Sequence, residues 1–211
     1  MVHRQLRLVI MTLIIITLLH GTPPFARSLA APQLEPQIGL VGHEGGGSYS
    51  VALQGSYAYV GIGPRLAVLD ISVPTAPALA GRSIPLPALV QGLAASGNYV
   101  YVANRQSGLH IIDVTNPLSP ELKGSLDTPG WAQNVAASGV YAYVADRSGG
   151  LRIVQVSDPM APTEVGIVPA TALAGEAQGV ALLGNTVTVR SLVRQSGGRR
   201  EALCPPPQFW T

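Results

Sequence analysis

The 211-residue chain contains 24 glycines and 18 prolines, while charged residues make up 11% of it and apolar residues 47%. So much glycine and proline would interrupt almost every helix of a bundle, and the chain is too apolar and too weakly charged for intrinsic disorder. A single cysteine excludes an intramolecular disulfide. These limits predict an all-β fold.

The N-terminal residues 1–30 have the pattern of a secretory signal peptide. A basic start precedes twelve mostly apolar residues at 8–19, a run that suits the apolar core of a signal and is short for a bilayer-spanning helix. Small residues at Ser28 and Ala30 predict cleavage after Ala30. An uncleaved membrane anchor is the alternative. We therefore expect a secreted or surface-displayed protein.

The formal charge of +2 comes from the two ends of the chain. Residues 31–189 carry six basic and ten acidic side chains, a net of −4, and four more arginines follow between positions 190 and 200. A nucleic-acid-binding protein needs basic residues clustered on one face. The charge distribution therefore gives no support for a nucleic-acid partner.

The body of the chain repeats one sequence unit. Equivalent glycines lie 42, 42 and 45 residues apart, at Gly55, Gly97, Gly139 and Gly184. The units span 51–88, 93–130 and 135–172, and a partial fourth unit spans 180–189. In the second unit we predict four strands, at 93–95, 99–102, 109–114 and 121–126. A period near 42 with four short strands is typical of a β-propeller blade.

The motifs within each unit resemble a known repeat. The third strands read LAVLDI from residue 66, LHIIDV from residue 109 and LRIVQV from residue 151. In all three units they follow a G-x-Y-x-Y-V motif and precede S/T-x-P-x-x-P. These motifs closely resemble the LVIVD repeat of secreted and surface-exposed bacterial and archaeal proteins. The resemblance implies a β-propeller outside the cytoplasm without an assigned ligand, and Gln155 departs from its usual Asp.

The two ends of the repeat array are irregular. Residues 37–41 lie 42 positions before residues 79–83, so residues 31–50 are predicted to hold an outer strand and a Gly-rich loop. The repeat pattern stops after Val189, and residues 190–211 form an atypical tail that indicates a frameshift or a wrongly ended reading frame. A natural divergent tail is the alternative. We expect three whole blades plus a partial fourth, an incomplete array able to self-associate through uncovered blade faces.

Residues suited to catalysis or metal binding are sparse. The mature chain keeps two histidines, His43 and His110, too few for a metal cluster. Four carboxylates recur at strand ends and turns, where Asx hydrogen bonds explain them: Asp70, Asp113, Asp146 and Asp158. We therefore predict no catalytic residues, no metal and no cofactor.

A candidate binding site comes from the repeat itself. Gln91, Gln133 and Gln178 occupy the same place just before the first strand of their units, Tyr49 takes it in the first unit, and Trp131 lies beside it. In a propeller this entrance lies near the central channel, so the five side chains are predicted to line the channel mouth. The alternative is local pairing of the glutamines with loop backbone and partial burial of Trp131 between blades.

The function predicted from these features is a secreted or cell-surface binding or scaffold module without catalysis. Its expected partner is an extracellular protein, peptide or glycan, and contact with a membrane would come only through an uncleaved signal segment. Two alternatives stay open: a fragment of an extracellular propeller enzyme whose site lies in missing blades, and a truncated product with no function of its own.

Overall fold

The computed structural model describes residues 47–193 and the backbone of residues 209–210, and all the described elements are β-strands. The first sheet holds β1 (Ser48–Gln54), β2 (Tyr57–Ile62), β3 (Arg65–Asp70) and β4 (Ala78–Arg82). The second holds β5 (Gly92–Ser96), β6 (Tyr99–Ala103), β7 (Leu109–Asp113) and β8 (Glu121–Leu126). The third holds β9 (Asn134–Ser138), β10 (Tyr141–Ala145), β11 (Leu151–Gln155) and β12 (Thr163–Val168).

The fourth sheet holds β13 (Glu176–Leu183), β14 (Thr186–Leu192) and β15 (Phe209–Trp210). The sequence predicted only two strands here, but the tail supplies a short third one, which pairs with β14 at Val187 and Thr188. All the sheets are antiparallel meanders of consecutive strands. The predicted array of three whole four-stranded units and a partial fourth is confirmed.

The strand boundaries follow the predicted ones closely, with two exceptions in the first strands. β8 coincides with the prediction, whereas β1 begins at Ser48 rather than at residue 51, and β13 begins at Glu176 rather than at residue 180. In both hairpins a register shift, between Ser48 and Val51 and between Ala177 and Gly179, lets pairing continue past the expected start. A bulge of this kind adds a residue to one strand without ending the ladder.

The core lies between successive sheets. The first strands β1, β5, β9 and β13 pack against one another in chain order. Between the first two sheets Leu66 and Val68 pack with Val100 and Ile112, all fully buried. This succession of twisted sheets around their first strands is the arrangement of propeller blades. The described sheets do not close into a ring.

The first sheet has one exposed apolar face. Alternate residues of β1 are exposed: Tyr49, Val51 and Leu53 leave 56%, 60% and 67% of their surface open. Successive residues of a strand face opposite sides. The intervening Ser50 and Gln54 instead contact the second sheet, where the Ser50 hydroxyl accepts from the Leu93 N–H at 2.9 Å.

Several predictions concern residues outside the described part of the chain. These are the signal peptide and its cleavage site, the outer strand at 37–41, His43 and residues 194–208 of the tail. Among the residues that the structure describes, none forms a helix long and apolar enough to span a membrane.

Candidate functional site

Two equivalent loops, 104–108 after β6 and 146–150 after β10, build the candidate site. Each closes on itself: the Asn104 N–H donates to the Gly108 carbonyl at 2.9 Å, and the Asp146 N–H donates to the Gly150 carbonyl at 2.8 Å. The second residue of each loop is an arginine in the left-handed conformation, with φ of 53° at Arg105 and 49° at Arg147. Non-glycine residues rarely adopt this conformation, and those that do concentrate at functional sites.

Each arginine backbone is held by the next sheet. The Arg105 N–H donates to the Ala132 carbonyl at 3.1 Å, and the Ala132 N–H donates back at 2.9 Å. Arg147 and Ala177 exchange the same pair of bonds, at 2.9 and 3.0 Å. Two hydrogen bonds therefore fix the backbone of each arginine, and with it the position from which its side chain extends.

The Arg105 guanidinium lies over two aromatic rings. Its Cζ is 5.7 Å from the centroid of Tyr49 and 5.6 Å from that of Trp131. Arg147 approaches Trp131 as well, at 5.7 Å. All three distances are within the range of cation–π attraction. Residues from three sheets therefore meet in one group of cations and rings.

Two glutamines complete this group. A guanidinium can only donate, so the Gln91 amide presents its oxygen to Arg105, at 3.0 Å from Nη2 and 3.2 Å from Nε. The other end of the Gln91 amide faces the Gln133 amide 3.2 Å away. We call the six residues the arginine–aromatic cluster: Tyr49, Gln91, Arg105, Trp131, Gln133 and Arg147.

The structure brings together four of the five side chains predicted to bind a ligand. Tyr49, Gln91, Gln133 and Trp131 belong to the cluster, although Tyr49 lies inside β1 rather than before it. Gln178 lies within β13, next to the bulge between Ala177 and Gly179, and makes none of the cluster's contacts among the described residues. Because the bulge lets β13 begin at Glu176, Gln178 lies within the strand, whereas Gln91 and Gln133 precede theirs.

Sequence reasoning missed the two arginines at the centre of the cluster. Their signal was present: an Asn or Asp followed by Arg and a glycine recurs in the second and third units, at residues 104–108 and 146–150. The first unit has only Gly63 and Pro64 between β2 and β3. The left-handed backbone that orients the arginines depends on long-range bonds to Ala132 and Ala177, which the sequence alone does not reveal.

The two arginines differ in electrostatic environment. Within the described residues, no carboxylate forms an ion pair with Arg105, whose partners are the neutral Gln91 amide and two rings. Arg147 Nε lies 3.9 Å from Glu176 Oε2, too far for a hydrogen bond. Two guanidiniums therefore face one carboxylate, so the cluster is locally positive.

The residue before each arginine fastens the blade linker. The Asn104 side chain accepts from the Ala88 N–H at 2.9 Å and donates to the Ala88 carbonyl at 2.6 Å. Asp146 accepts from the Thr128 hydroxyl at 2.7 Å and from the Gly130 N–H at 2.9 Å. The prediction of a simple turn cap is wrong for Asp146, which is fully buried and binds residues of the preceding linker.

Burial raises the pKa of Asp146, although the Thr128 hydroxyl and the Gly130 N–H act in the opposite direction. In the second sheet, Asn104 binds the preceding linker with a neutral amide instead. The two loops thus hold their preceding linkers in place through different side chains, an amide in one and a carboxylate in the other.

The remaining carboxylates behave as predicted. Asp70, Asp113 and Asp158 each accept from the N–H two residues on, at 2.8, 2.8 and 3.0 Å. These are Asx turns. The bond from Ser72 lowers the pKa of Asp70, and bonds from Thr115 lower that of Asp113.

His110 lies on β7 opposite Val102 and Ser125, as expected for a cross-strand residue. It is buried, and burial lowers its pKa. Within the described part of the chain, no three His, Cys, Asp or Glu side chains are grouped so that they could hold a metal ion.

Besides the cluster, a second candidate site is a recess between the first two sheets, at the strand ends opposite to the cluster. It has a volume of about 500 Å³ and is lined by Gln54, Tyr57, Asp70, Asn98 and Thr115, among others. Its only charged lining residue is Asp70. The two ends of these sheets therefore differ in charge: the recess is weakly acidic, and the arginine–aromatic cluster is basic.

Comparison with solved structures confirms the fold. The chain resembles the crystal structure of the computationally designed Ika4 protein with a TM-score of 0.61 and 13% identity, over 82% of this chain and 94% of that one. It resembles the β-propeller domain of Cps50 (Swd1) from Myceliophteria thermophila with a TM-score of 0.57 and 11% identity, over 70% of this chain and 50% of that one. At such identities the likeness shows the fold alone, that of β-propeller blades.

A family model identifies the repeat. The LVIVD repeat matches three consecutive segments, residues 45–83, 89–128 and 129–170, which together exceed half of the chain. The chain belongs to the LVIVD repeat family. No curated protein matches the chain in sequence.

Proposed function

We propose that this chain is a secreted or cell-surface binding module, without catalysis, whose ligand docks on the arginine–aromatic cluster. The observation that carries the proposal is the position of Arg105, stacked near two rings and held by an amide rather than by a carboxylate. Arginine and aromatic side chains dominate binding hot spots because they combine area, charge and directional donors.

The exposure of the rings supports a binding role. Trp131 is 37% exposed although its neighbour Ala132 is fully buried. The backbone bridges at Arg105 and Arg147 fix the cluster in advance, which lowers the entropy cost of binding. The apolar core of residues 8–19 supports export, where the partner would be an extracellular protein, peptide or glycan.

Array binding by the purified full chain tests this function. Extracellular glycans, peptides and proteins are screened with the wild type, with Trp131→Ala and with Met160→Ala, a matched control for an exposed apolar side chain far from the cluster. We expect ligands that the wild type and Met160→Ala retain and Trp131→Ala loses. Binding that is indifferent to Trp131, or turnover of a bound ligand, would overturn the proposal.

A further inference from the structure

We propose that the ligand of the arginine–aromatic cluster is an acidic oligosaccharide, one whose sugar rings carry carboxylates as hexuronates do. This ligand class rests on the proposed function, because it concerns the same site. It goes further by stating which chemistry the six side chains select.

The first step is the uncompensated charge of Arg105. Its Nε and Nη2 are occupied by the Gln91 oxygen, and its faces lie near Tyr49 and Trp131. None of these partners carries a negative charge. A guanidinium fixed in this way presents its remaining donors in a planar fork that matches a carboxylate.

The second step is the neighbouring cation. Arg147 lies 5.7 Å from the same Trp131 ring and is only loosely paired, through Nε at 3.9 Å, with Glu176. Apart from these two arginines, residues 31–189 carry four basic and ten acidic side chains. An anionic polymer is repelled by the excess of carboxylates in this part of the chain and attracted at the cluster, so charge favours binding there.

The third step separates a sugar acid from an acidic peptide. Trp131 and Tyr49 expose 37% and 56% of their surface, so apolar ring surface is accessible beside the cations. Gln91 and Gln133 add amide donors and acceptors at the same place. A hexuronate presents all three complements: a carboxylate for arginine, C–H faces for the rings and hydroxyls for the amides. A glutamate-rich peptide would satisfy the arginines and, through its backbone, the amides, but it has no flat C–H face of a sugar ring for Trp131 and Tyr49.

The charge of the recess fits the same assignment. Its only charged lining residue is Asp70, so an acidic sugar has no cation to bind there. We therefore expect the ligand's carboxylate to strengthen binding at the cluster and to weaken it at the recess.

Calorimetric titration of the full chain with tetragalacturonate tests the ligand class. The methyl-esterified tetramer removes the charge but keeps the rings and most hydroxyls, and tetraglutamate keeps the charge without the sugar. We expect binding by the wild type and by Arg65→Gln, the matched control at the β2–β3 turn. Arg105→Gln, Arg147→Gln and esterification should each weaken binding about ten-fold or more, the effect of one charge-assisted contact.

The contrary results are distinct. Equal binding of the ester, or equal or tighter binding of tetraglutamate, would overturn the acidic-sugar assignment, as would unchanged affinity in both cluster variants. If a neutral or peptide ligand then still requires Trp131, the proposed function stands and only the ligand class fails. If no ligand depends on Trp131, both fail.

Discussion

The turn between β2 and β3 and the loops after β6 and β10 occupy the same place in successive repeats but differ in length and chemistry. The first is the dipeptide Gly63-Pro64, and the others are five-residue loops that carry Arg105 and Arg147. The strand order and the positive-φ glycine of the first hairpin (Gly55, Gly97 and Gly139) are the same in all three repeats. The repeat therefore supplies a common scaffold, and the connection between the second and third strands of each sheet determines whether an arginine of the cluster is present.

Breaking a long loop should have the largest effect on stability. A Cβ added at Gly108, where φ is 71°, would collide with the Leu126 carbonyl, whereas a Cβ at Gly63, where φ is 57°, meets nothing. We expect Gly108→Ala to lose about 3–5 kcal/mol, from backbone strain plus overpacking, and Gly63→Ala about 1–2 kcal/mol from strain alone. Urea unfolding measures both, and equal losses would show that the loops are equivalent.

Removing the amide that fastens the second linker should have the next largest effect. Asn104→Ala would leave the buried Ala88 N–H and carbonyl without partners. The expected loss is about 2–3 kcal/mol in the free energy of unfolding. Asn116→Ala is the control, since Asn116 is exposed and makes a single bond of 3.2 Å to the Leu118 N–H. A loss no greater than the control's would contradict the role of Asn104.

Arg105→Gln should cost less than either change. The variant loses two cation–π contacts with Tyr49 and Trp131, each worth about 0.5–1 kcal/mol, while the backbone bridge to Ala132 remains. We expect a destabilisation of about 1–2 kcal/mol, measured by thermal unfolding. A chain that fails to fold would instead place Arg105 among the structural residues of the loop.

Asp146→Asn should have the smallest effect, and one that depends on pH. Burial raises the folded-state pKa of Asp146 above its ordinary value near 3.8, so the contribution of Asp146 to wild-type stability falls as pH rises from 3.8 through the folded pKa. The variant lacks this loss, and its amide can still pair with Thr128 and Gly130, as Asn104 does with Ala88. The Tm of the variant relative to the wild type should therefore rise with pH. A relative Tm that falls would show that ionised Asp146 stabilises the fold.

Much of the fold could be predicted because each blade is built from strands that are consecutive in sequence. The hairpin around Gly97 and the strand β8 follow from alternation and turn residues that are close in sequence. The Asx turns at Asp70 and Asp113 span only two residues and were predicted as well. The short strand β15 was not, because its pairing with β14 joins residues that no repeat relates.

The site was predictable by position but not by chemistry. The repeat placed Gln91, Gln133 and Trp131 near one another, and they do meet. Arg105 escaped notice because its role depends on a left-handed backbone and on bonds to a residue 27 positions away, Ala132. The recurring Arg at 105 and 147 is visible in the sequence, but neither of these two requirements is.

The most direct test of the central claim, that the cluster is a binding surface, is the fluorescence of Trp131. The chain has two tryptophans, so Trp210→Phe leaves Trp131 as the sole reporter. On titration with tetragalacturonate we predict a saturable change in its emission that weakens with added salt and is lost when Arg105→Gln is introduced as well. Calorimetric binding without any change in Trp131 emission, or the same change without Arg105, would contradict the claim.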